Sequence, residues 1–472
     1  MTKSITIKIG VLYFSFICLS LFSTLQAKTI YVAPEGKTYS GSKMSSSYNE
    51  PINFSSIFVN TSSMPSSFLQ QGDTIYFKGG KYILDKTITL VQKKSSGVSD
   101  KRTVLKAYPG EMPVFDFHKL PYGREVTNDD NVGFSVPASY VDMIGLRICN
   151  AGKNGMVVTG SDNLIENCAF YGNGDSGLQM KFGGNNLIKN CDSYNNFDYK
   201  LVKKGEPDYG QNADGFADKQ YTSPEGTANT YIGCRSWNNS DDGWDFYQRI
   251  SSGAPTILQH CWCIGIAPTE YDMTNHPRYE TDKEFFDQFK TAEGRIVVPN
   301  YGNGNGFKIG GAKTNHYVKL VNCVAVDNKI AGFDQNSDAG KMIVSNCLAY
   351  KNGINYSLGR KVAGATLDIK NCVSFSGNRK DVFQVGAQIS DTQQSNNTWN
   401  LDITPVDTDF ESMDISLAKS LRNPDGSFSA EMNKLFRLSP GSQLIDKGID
   451  IGSPFCGQSP DLGAFEYGDG NR

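Results

Sequence analysis

The sequence lacks several features that mark common classes of protein. Its 46 Lys and Arg residues are outnumbered by 49 Asp and Glu residues, so the formal net charge is −3. Without a basic excess, nucleic acid or an anionic membrane is excluded as the main partner. No glycine-rich loop joins a predicted strand to a helix, which excludes a P-loop or dinucleotide-binding fold. After residue 27, no apolar run is long enough to span a bilayer.

The first 27 residues have the pattern of an export signal. Lys3 and Lys8 precede a mostly apolar stretch at 11–25, and a polar lysine follows residue 27. We therefore expect residues 1–27 to be a cleaved signal peptide. The mature protein is then expected to be secreted, whether extracellular, on the cell surface or in the periplasm, and to be a monomer.

Cysteine recurs at one position of a repeated short strand. Successive cysteines are separated by 19 to 27 residues, except for two intervals of 43 and 62 residues. Such a period is typical of a solenoid, and the long intervals indicate coils with insertions, around 195–230 and 264–302. The repeated cysteines, often preceded by asparagine, are Cys149, Cys168, Cys191, Cys234, Cys261, Cys323, Cys347 and Cys372.

A repeat of short strands and turns predicts an all-β fold, a right-handed parallel β-helix with N-terminal and C-terminal caps. Coils stack about 4.8 Å apart, so the cysteines should form a buried ladder of small apolar side chains. Parallel stacked side chains have poor geometry for disulfides. We expect a cap and first coils at 28–140, the central β-helix with the active site at 141–395, and closing coils and a cap at 396–472.

A second repeat, glycine followed by an apolar residue, aligns acidic residues of neighbouring coils. In this alignment Asp214 and Asp242 lie one coil apart, with Asp241 and Asp245 beside Asp242. Carboxylates this close repel one another, so they need a compensating positive charge. Ca²⁺ supplies that charge and prefers six to eight oxygen ligands. The alignment therefore predicts a calcium site with these four aspartates as ligands. A solvated acidic turn is the alternative.

In the same alignment, Lys308 takes the outward-facing position of Asp245 in the next coil, so the two residues are neighbours. A surface salt bridge is one interpretation. The other is a general base whose pKa falls beside a divalent cation. Calcium would acidify the C5 hydrogen of a uronate, and Lys308 would remove it. These parts predict β-elimination in an acidic polysaccharide that contains uronate.

Three segments resemble the calcium-and-lysine core of polysaccharide lyase family 9. They are Asp214-Gly-Phe, Asp241-Asp-Gly-Trp-Asp245 and Asn303-Gly-Asn-Gly-Phe-Lys308-Ile-Gly-Gly311. The resemblance covers about 140–380 and implies a parallel β-helix, the four aspartates as calcium ligands and Lys308 as base. Pectate lyases and rhamnogalacturonan lyases belong to that family, so it implies a galacturonate-containing pectic substrate, polygalacturonate or rhamnogalacturonan I.

Four further cations are predicted to bind substrate carboxylates: Lys219, Arg235, Arg249 and Lys313. The insertions are expected to overhang the groove and help choose the substrate. One alternative function is a β-helix hydrolase similar to polygalacturonase, which typically carries a Gly-His-Gly motif that none of the four histidines forms. The other is a non-catalytic carbohydrate-binding β-helix.

Overall fold

Most of the chain winds into a parallel β-helix. The computed structural model of the protein describes residues 27–38, 46–57, 69–123, 131–251 and 253–469. The signal peptide predicted at 1–27 lies, except for its last residue, outside the described residues. Three long sheets of stacked parallel strands run along the solenoid, and we name them by their strand counts. The predicted all-β solenoid is confirmed.

Each coil passes through the three sheets in turn, as in the successive strands Leu164–Glu166, Ala169–Tyr171 and Leu178–Met180. The thirteen-stranded sheet contains, in spatial order, Ile52–Asn53, Thr29–Ala33, Thr74–Phe77, Thr103–Ala107, Val141–Ile144, Leu164–Glu166, Leu187–Lys189, Thr230–Ile232, Thr256–Gln259, Val318–Val321, Lys341–Ser345, Thr366–Lys370 and Thr392–Ser395. The ten-stranded sheet contains Val373–Phe375, Leu348–Tyr350, Val324–Val326, Trp262–Ile264, Arg235–Trp237, Asp192–Tyr194, Ala169–Tyr171, Arg147–Cys149, Pro113–Asp116 and Gly80–Ile83. The nine-stranded sheet contains Ile354–Ser357, Ala331–Asp334, Asn305–Lys308, Trp244–Asp245, Phe216–Asp218, Leu178–Met180, Met156–Val158, Phe134–Val136 and Ile88–Thr89.

Helical segments are short and lie outside the three sheets. The α-helices are Phe54–Ile57, Gln92–Ser95 and Lys283–Asp287, and the 3₁₀ turns are Ile389–Asp391, Asp407–Asp409, Ile415–Lys419 and Met432–Lys434. Within the described ranges, no helix has the length and apolar character needed to cross a membrane.

The corner between the thirteen-stranded and ten-stranded sheets explains the Asn-Cys repeat. Asparagine tolerates the left-handed backbone conformation better than most residues, and here its φ is +49° to +56° in five coils. Glycine takes the same corner in two other coils, before Leu146 and before Cys234. The asparagines at this corner are Asn167, Asn190, Asn322, Asn346 and Asn371.

The cysteine ladder is buried, as predicted, and its members form no disulfide, but it has seven members at one position. All eight predicted cysteines are free and buried. Cys149 lies at the end of strand Arg147–Cys149, where it pairs with Tyr171. Its placement in the ladder is wrong, because Leu146 occupies the position that Cys168 takes in the next coil. Leucine fits there because the ladder requires only an apolar side chain.

A buried asparagine ladder crosses the corner between the ten-stranded and nine-stranded sheets. Asn173 Nδ2 donates to Asn196 Oδ1 at 2.9 Å, and Asn196 Nδ2 donates to Asn239 Oδ1 at 2.8 Å. The same two oxygens also accept the backbone N–H groups of Asn173 and Asn196, each at 3.1 Å. These bonds satisfy polar groups that the turn would otherwise bury unpaired.

The C-terminal segment covers a side of the solenoid. Among its residues, Phe410, Met432 and Phe436 pack against the outer face of the ten-stranded sheet, where Trp262 and Tyr350 lie. Residues of 396–472 therefore pack along the side of the solenoid, and the predicted closing coils and cap at 396–472 stay a proposal. The boundaries at 140 and 395 stay proposals.

The two insertions pack on each other beside the nine-stranded sheet. The first contains the antiparallel hairpin Val202–Lys203 and Glu206–Pro207, and the second pairs Glu270–Asp272 with Val297–Pro299. Their apolar side chains form a small core of their own. It contains Phe197, Tyr199, Tyr209, Met273, Phe286, Ile296 and Val298.

Candidate metal centre and active site

The predicted calcium ligands and Lys308 gather on the outer face of the nine-stranded sheet. Inside the solenoid, the rings of Phe216, Trp244 and Phe307 stack with centroids 4.6 and 5.0 Å apart. This stack aligns successive coils, so that Asp245 lies opposite Lys308 on neighbouring strands. The column alignment made from the sequence is confirmed by this register.

Three buried carboxylates form the centre of the site. Oxygen atoms of Asp214, Asp242 and Asp245 lie within 4.8 Å of one another. Asp214 Oδ1 accepts the backbone N–H of Asp242 at 3.2 Å, which ties the two coils together. Asp242 Oδ1 accepts from the side chain of Asn305 at 2.9 Å.

Asp241 is buried next to this group but lies outside it. Its Oδ1 accepts the backbone N–H of Asn303 at 2.8 Å. The structure therefore brings together three of the four predicted calcium ligands, and the fourth contacts the loop that leads to Lys308.

Two lysines neutralise the cluster from different sides. Lys308 Nζ lies 2.8 Å from Asp242 Oδ2 and 3.4 Å from Asp245 Oδ1. Lys219 Nζ lies 2.6 Å from Asp214 Oδ2 and 2.9 Å from Asp245 Oδ2. Asp245 thus bridges both ammonium groups, and its pKa is lowered, because the two lysines outweigh its burial.

The other carboxylates of the site are held in an arrangement that opposes their ionisation. Burial, reinforced by the charges of Asp245 and Asp242, raises the pKa of Asp214 to about 8. Burial and the neighbouring aspartates also raise the pKa of Asp241. Crowded carboxylates that resist ionisation are stabilised by a hard cation, and carboxylate oxygens are the ligands that Ca²⁺ prefers. The donor set therefore fits calcium.

The pKa of Lys308 departs from the expectation drawn from the sequence. Burial opposes its charged form, but Asp242 and Asp245 outweigh burial and hold its pKa well above the ordinary value. The predicted fall in the pKa of Lys308 assumed a cation beside it. Without that cation, the carboxylates raise the pKa instead. Lys308 is therefore charged while those carboxylates are unneutralised.

Two predicted substrate-binding arginines are structural in this fold. Arg235 is buried beneath the C-terminal segment, pairs with Asp192 at 2.7 Å and donates to the carbonyl of Ala418 at 3.0 Å. Arg249 is fully buried and pairs with Asp218 at 2.9 Å. Neither guanidinium has accessible surface for a sugar carboxylate, so the structure corrects both predictions.

Lys313 and Lys219 keep positions that substrate can reach. Lys313 is exposed and lies five residues after Lys308. Its backbone N–H donates to the carbonyl of Ser337 at 3.0 Å. Lys219 is partly exposed at the carboxylate cluster. Its contacts with two of the aspartates were missed from the sequence, although Asp214 and Lys219 are five residues apart and flank the strand Phe216–Asp218.

Tyr247 is a further neighbour of the predicted base. Its ring centroid lies 5.5 Å from Lys308 Nζ, and its backbone N–H donates to Asp245 Oδ1 at 2.8 Å. A Cβ atom at Gly311 would come within 2.4 Å of the tyrosine ring. The Gly-Gly pair after Lys308 therefore leaves room for this ring.

Comparisons with known proteins show the family and the fold of the chain. A family described as "Pel9A-like, right handed beta helix region" matches residues 31–381. Pectate lyase L of Dickeya chrysanthemi is 34% identical over 453 residues, which are 94% of this chain and 92% of that protein. The crystal structure of pectate lyase Pel9A has a TM-score of 0.74 and 32% identity, covering 93% of this chain and 96% of the other. A rhamnogalacturonan lyase structure, at TM-score 0.67 and 21% identity over 89% of this chain and 98% of the other, shares the fold.

Proposed function

The chain belongs to the Pel9A-like right-handed β-helix family of polysaccharide lyases, polysaccharide lyase family 9, and we propose that it cleaves pectin by calcium-dependent β-elimination with Lys308 as general base. A single observation carries the proposal. Three buried carboxylates converge beside a buried lysine on the outer face of the solenoid. The substrate is an acidic plant cell-wall polysaccharide that contains galacturonate, either polygalacturonate or rhamnogalacturonan I. The similar proteins are named pectate lyases, and the family resemblance supplies the rhamnogalacturonan alternative.

Asp214, Asp242 and Asp245 would hold the calcium ion, and Asp241, buried beside them, stays the proposed fourth ligand. Bound calcium would supply a positive charge for the substrate's C6 carboxylate and so acidify the C5 hydrogen. The carboxylates that ligate it would no longer stabilise the ammonium of Lys308 as strongly. Their neutralisation therefore favours the free amine, which is the form that a base requires.

Lys308 would then take the proton from C5. The electron pair of that C–H bond becomes the second bond between C4 and C5, and the bond from C4 to the glycosidic oxygen breaks. The leaving oxygen receives a proton from water. No water adds to the sugar, so the products are a new chain end and a 4,5-unsaturated uronide. Tyr247, whose ring flanks Lys308, restricts where the amine can point.

Lys219 and Lys313 are the proposed contacts for substrate carboxylates, since an ammonium group pairs readily with a uronate. The packed insertions border the same face of the solenoid and would limit how the polysaccharide enters. We also propose secretion, because a pectic substrate lies outside the cell and the first 27 residues have the pattern of an export signal.

Purified enzyme and its Lys308→Ala variant, incubated with polygalacturonate and rhamnogalacturonan I, provide the test. Ultraviolet absorbance of the new double bond should appear with calcium and disappear with a chelator. In K308A the rate should fall by about 10²–10⁴-fold, the usual contribution of a general base. The variant should still fold and bind calcium, but without calcium it should melt below the wild type, because Asp242 and Asp245 lose a charged partner.

The exposed Lys319 on the thirteen-stranded sheet offers a matched control, because K319A removes the same charge far from the site. New reducing ends without ultraviolet absorbance would point to hydrolysis and contradict the proposal. Full activity of K308A would remove Lys308 from its role as base.

A further inference from the structure

Lys219 contacts two of the three clustered carboxylates through one ammonium group. The distances are 2.6 Å to Asp214 Oδ2 and 2.9 Å to Asp245 Oδ2, and the lysine side chain is only 14% exposed. Both carboxylates are buried. Removing this ammonium would leave two buried negative charges close together with one compensating lysine, Lys308, for the whole cluster.

A calcium ion at this centre would be held by the same two carboxylates, whose Oδ2 atoms contact Lys219. A ligand oxygen lies about 2.3–2.6 Å from Ca²⁺, and each of these oxygens already lies within 3 Å of Lys219 Nζ. If both cations kept these contacts, two like charges would sit within about 5 Å in a poorly solvated site, where Coulomb repulsion is strong. Binding of one cation must therefore weaken the hold on the other.

We propose that Lys219 is an internal counter-ion that competes with calcium for Asp214 and Asp245 and so sets the calcium concentration at which the site fills. The inference rests on the proposed calcium site. Lys308 competes in the same way for Asp242, but its replacement would also remove the proposed base. Lys219 is the position at which the competition can be measured without removing the proposed base.

Calorimetric titration of Ca²⁺ into chelator-treated enzyme tests the proposal. Lys219→Met keeps an unbranched side chain that is one atom shorter and removes the charge, so the variant should bind calcium at least about tenfold more tightly than the wild type. K219R keeps the charge and should stay within about threefold of the wild-type affinity. K319M, on the thirteen-stranded sheet, should leave calcium affinity unchanged.

Thermal unfolding gives a second readout that does not depend on activity. In chelator, K219M should melt below the wild type, because Asp214 and Asp245 have lost their partner. Added calcium should raise its melting temperature more than that of the wild type, since a ligand that binds the folded state more tightly stabilises it more. If K219M folds only with calcium, loss of calcium to a competing chelator reports its affinity instead.

The outcomes separate this inference from the proposed function. Wild-type enzyme that binds calcium, together with a K219M variant of equal or weaker affinity, would overturn the counter-ion role and leave the lyase proposal standing. Wild-type enzyme that binds no calcium would overturn the calcium site itself, and the competition with it. Tighter binding by K219M, with K219R near the wild type, supports the proposal.

Discussion

Replacing Arg249 with Met should destabilise the fold and leave the outer face of the nine-stranded sheet intact. Arg249 and Asp218 are both fully buried, and Nη1 lies 2.9 Å from Oδ1. The guanidinium also donates to the carbonyl of Lys181 and the hydroxyl of Ser223, each at 2.8 Å. In R249M the Asp218 carboxylate would remain buried without its countercharge.

Breaking a buried pair by removing one partner typically costs about 3–5 kcal/mol. With an unfolding entropy of about 2 cal/mol/K per residue, this cost lowers the melting temperature by about 3–5 °C if the solenoid unfolds as one unit. The penalty should also depend on pH. Burial already raises the pKa of Asp218 against the opposing effect of Arg249, so loss of the arginine raises it further. A protonated Asp218 needs no countercharge, and the variant should therefore lose less stability at pH 5 than at pH 8.

Thermal and denaturant unfolding of R249M, of D218N and of the double variant would measure this effect. Asn is neutral and close in shape to Asp, so R249M/D218N should be more stable than R249M alone. With calcium present, the Michaelis constant of R249M for polygalacturonate should match that of the wild type. A variant of unchanged stability whose Michaelis constant rises would refute the structural role and restore Arg249 as a substrate contact.

Two further predictions concern the rest of the solenoid. Burial raises the pKa of Asp338 to about 7, above the ordinary value of 3.8. The stability that comes from protonated Asp338 is therefore fully present below about pH 4 and is lost as pH rises through 7. D338N should flatten the fall of the melting temperature over that range, and an unchanged slope would contradict this assignment. Of the ten cysteines among the described residues, nine are buried and Cys456 is exposed, so a thiol reagent should label one site per folded chain from residue 27 onward. C456S should abolish this labelling, and rapid modification of several cysteines in the folded protein would show that the ladder is open to solvent.

The solenoid and its register could be read from short-range patterns. Apolar residues after glycine recur once per coil, and their rings must stack inside, which sets Asp245 opposite Lys308. Asparagine before cysteine marks the left-handed corner, because its side chain tolerates that backbone conformation. Cys149 misled the alignment because leucine serves equally well in the ladder.

The cationic side chains could not be placed in this way. The sequence alone makes Lys219, Arg235 and Arg249 equivalent candidates for binding substrate carboxylates. Arg249 belongs to an inward ion pair, Arg235 lies under a segment some 180 residues away in sequence, and only Lys219 reaches the carboxylates. Local sequence does not distinguish these cases, since a charge can be buried wherever a distant partner compensates it.

By itself the sequence determined a coiled all-β architecture and the clustering of acidic residues beside Lys308, because a repeat of one coil makes strand spacing and residue columns follow from simple alignment. Only the tertiary structure decided which charges face the groove, that the C-terminal segment covers the ten-stranded sheet, and that Lys219 shares the carboxylates of the candidate metal centre. Those features depend on contacts between segments far apart in the chain, and such contacts leave no periodic signal.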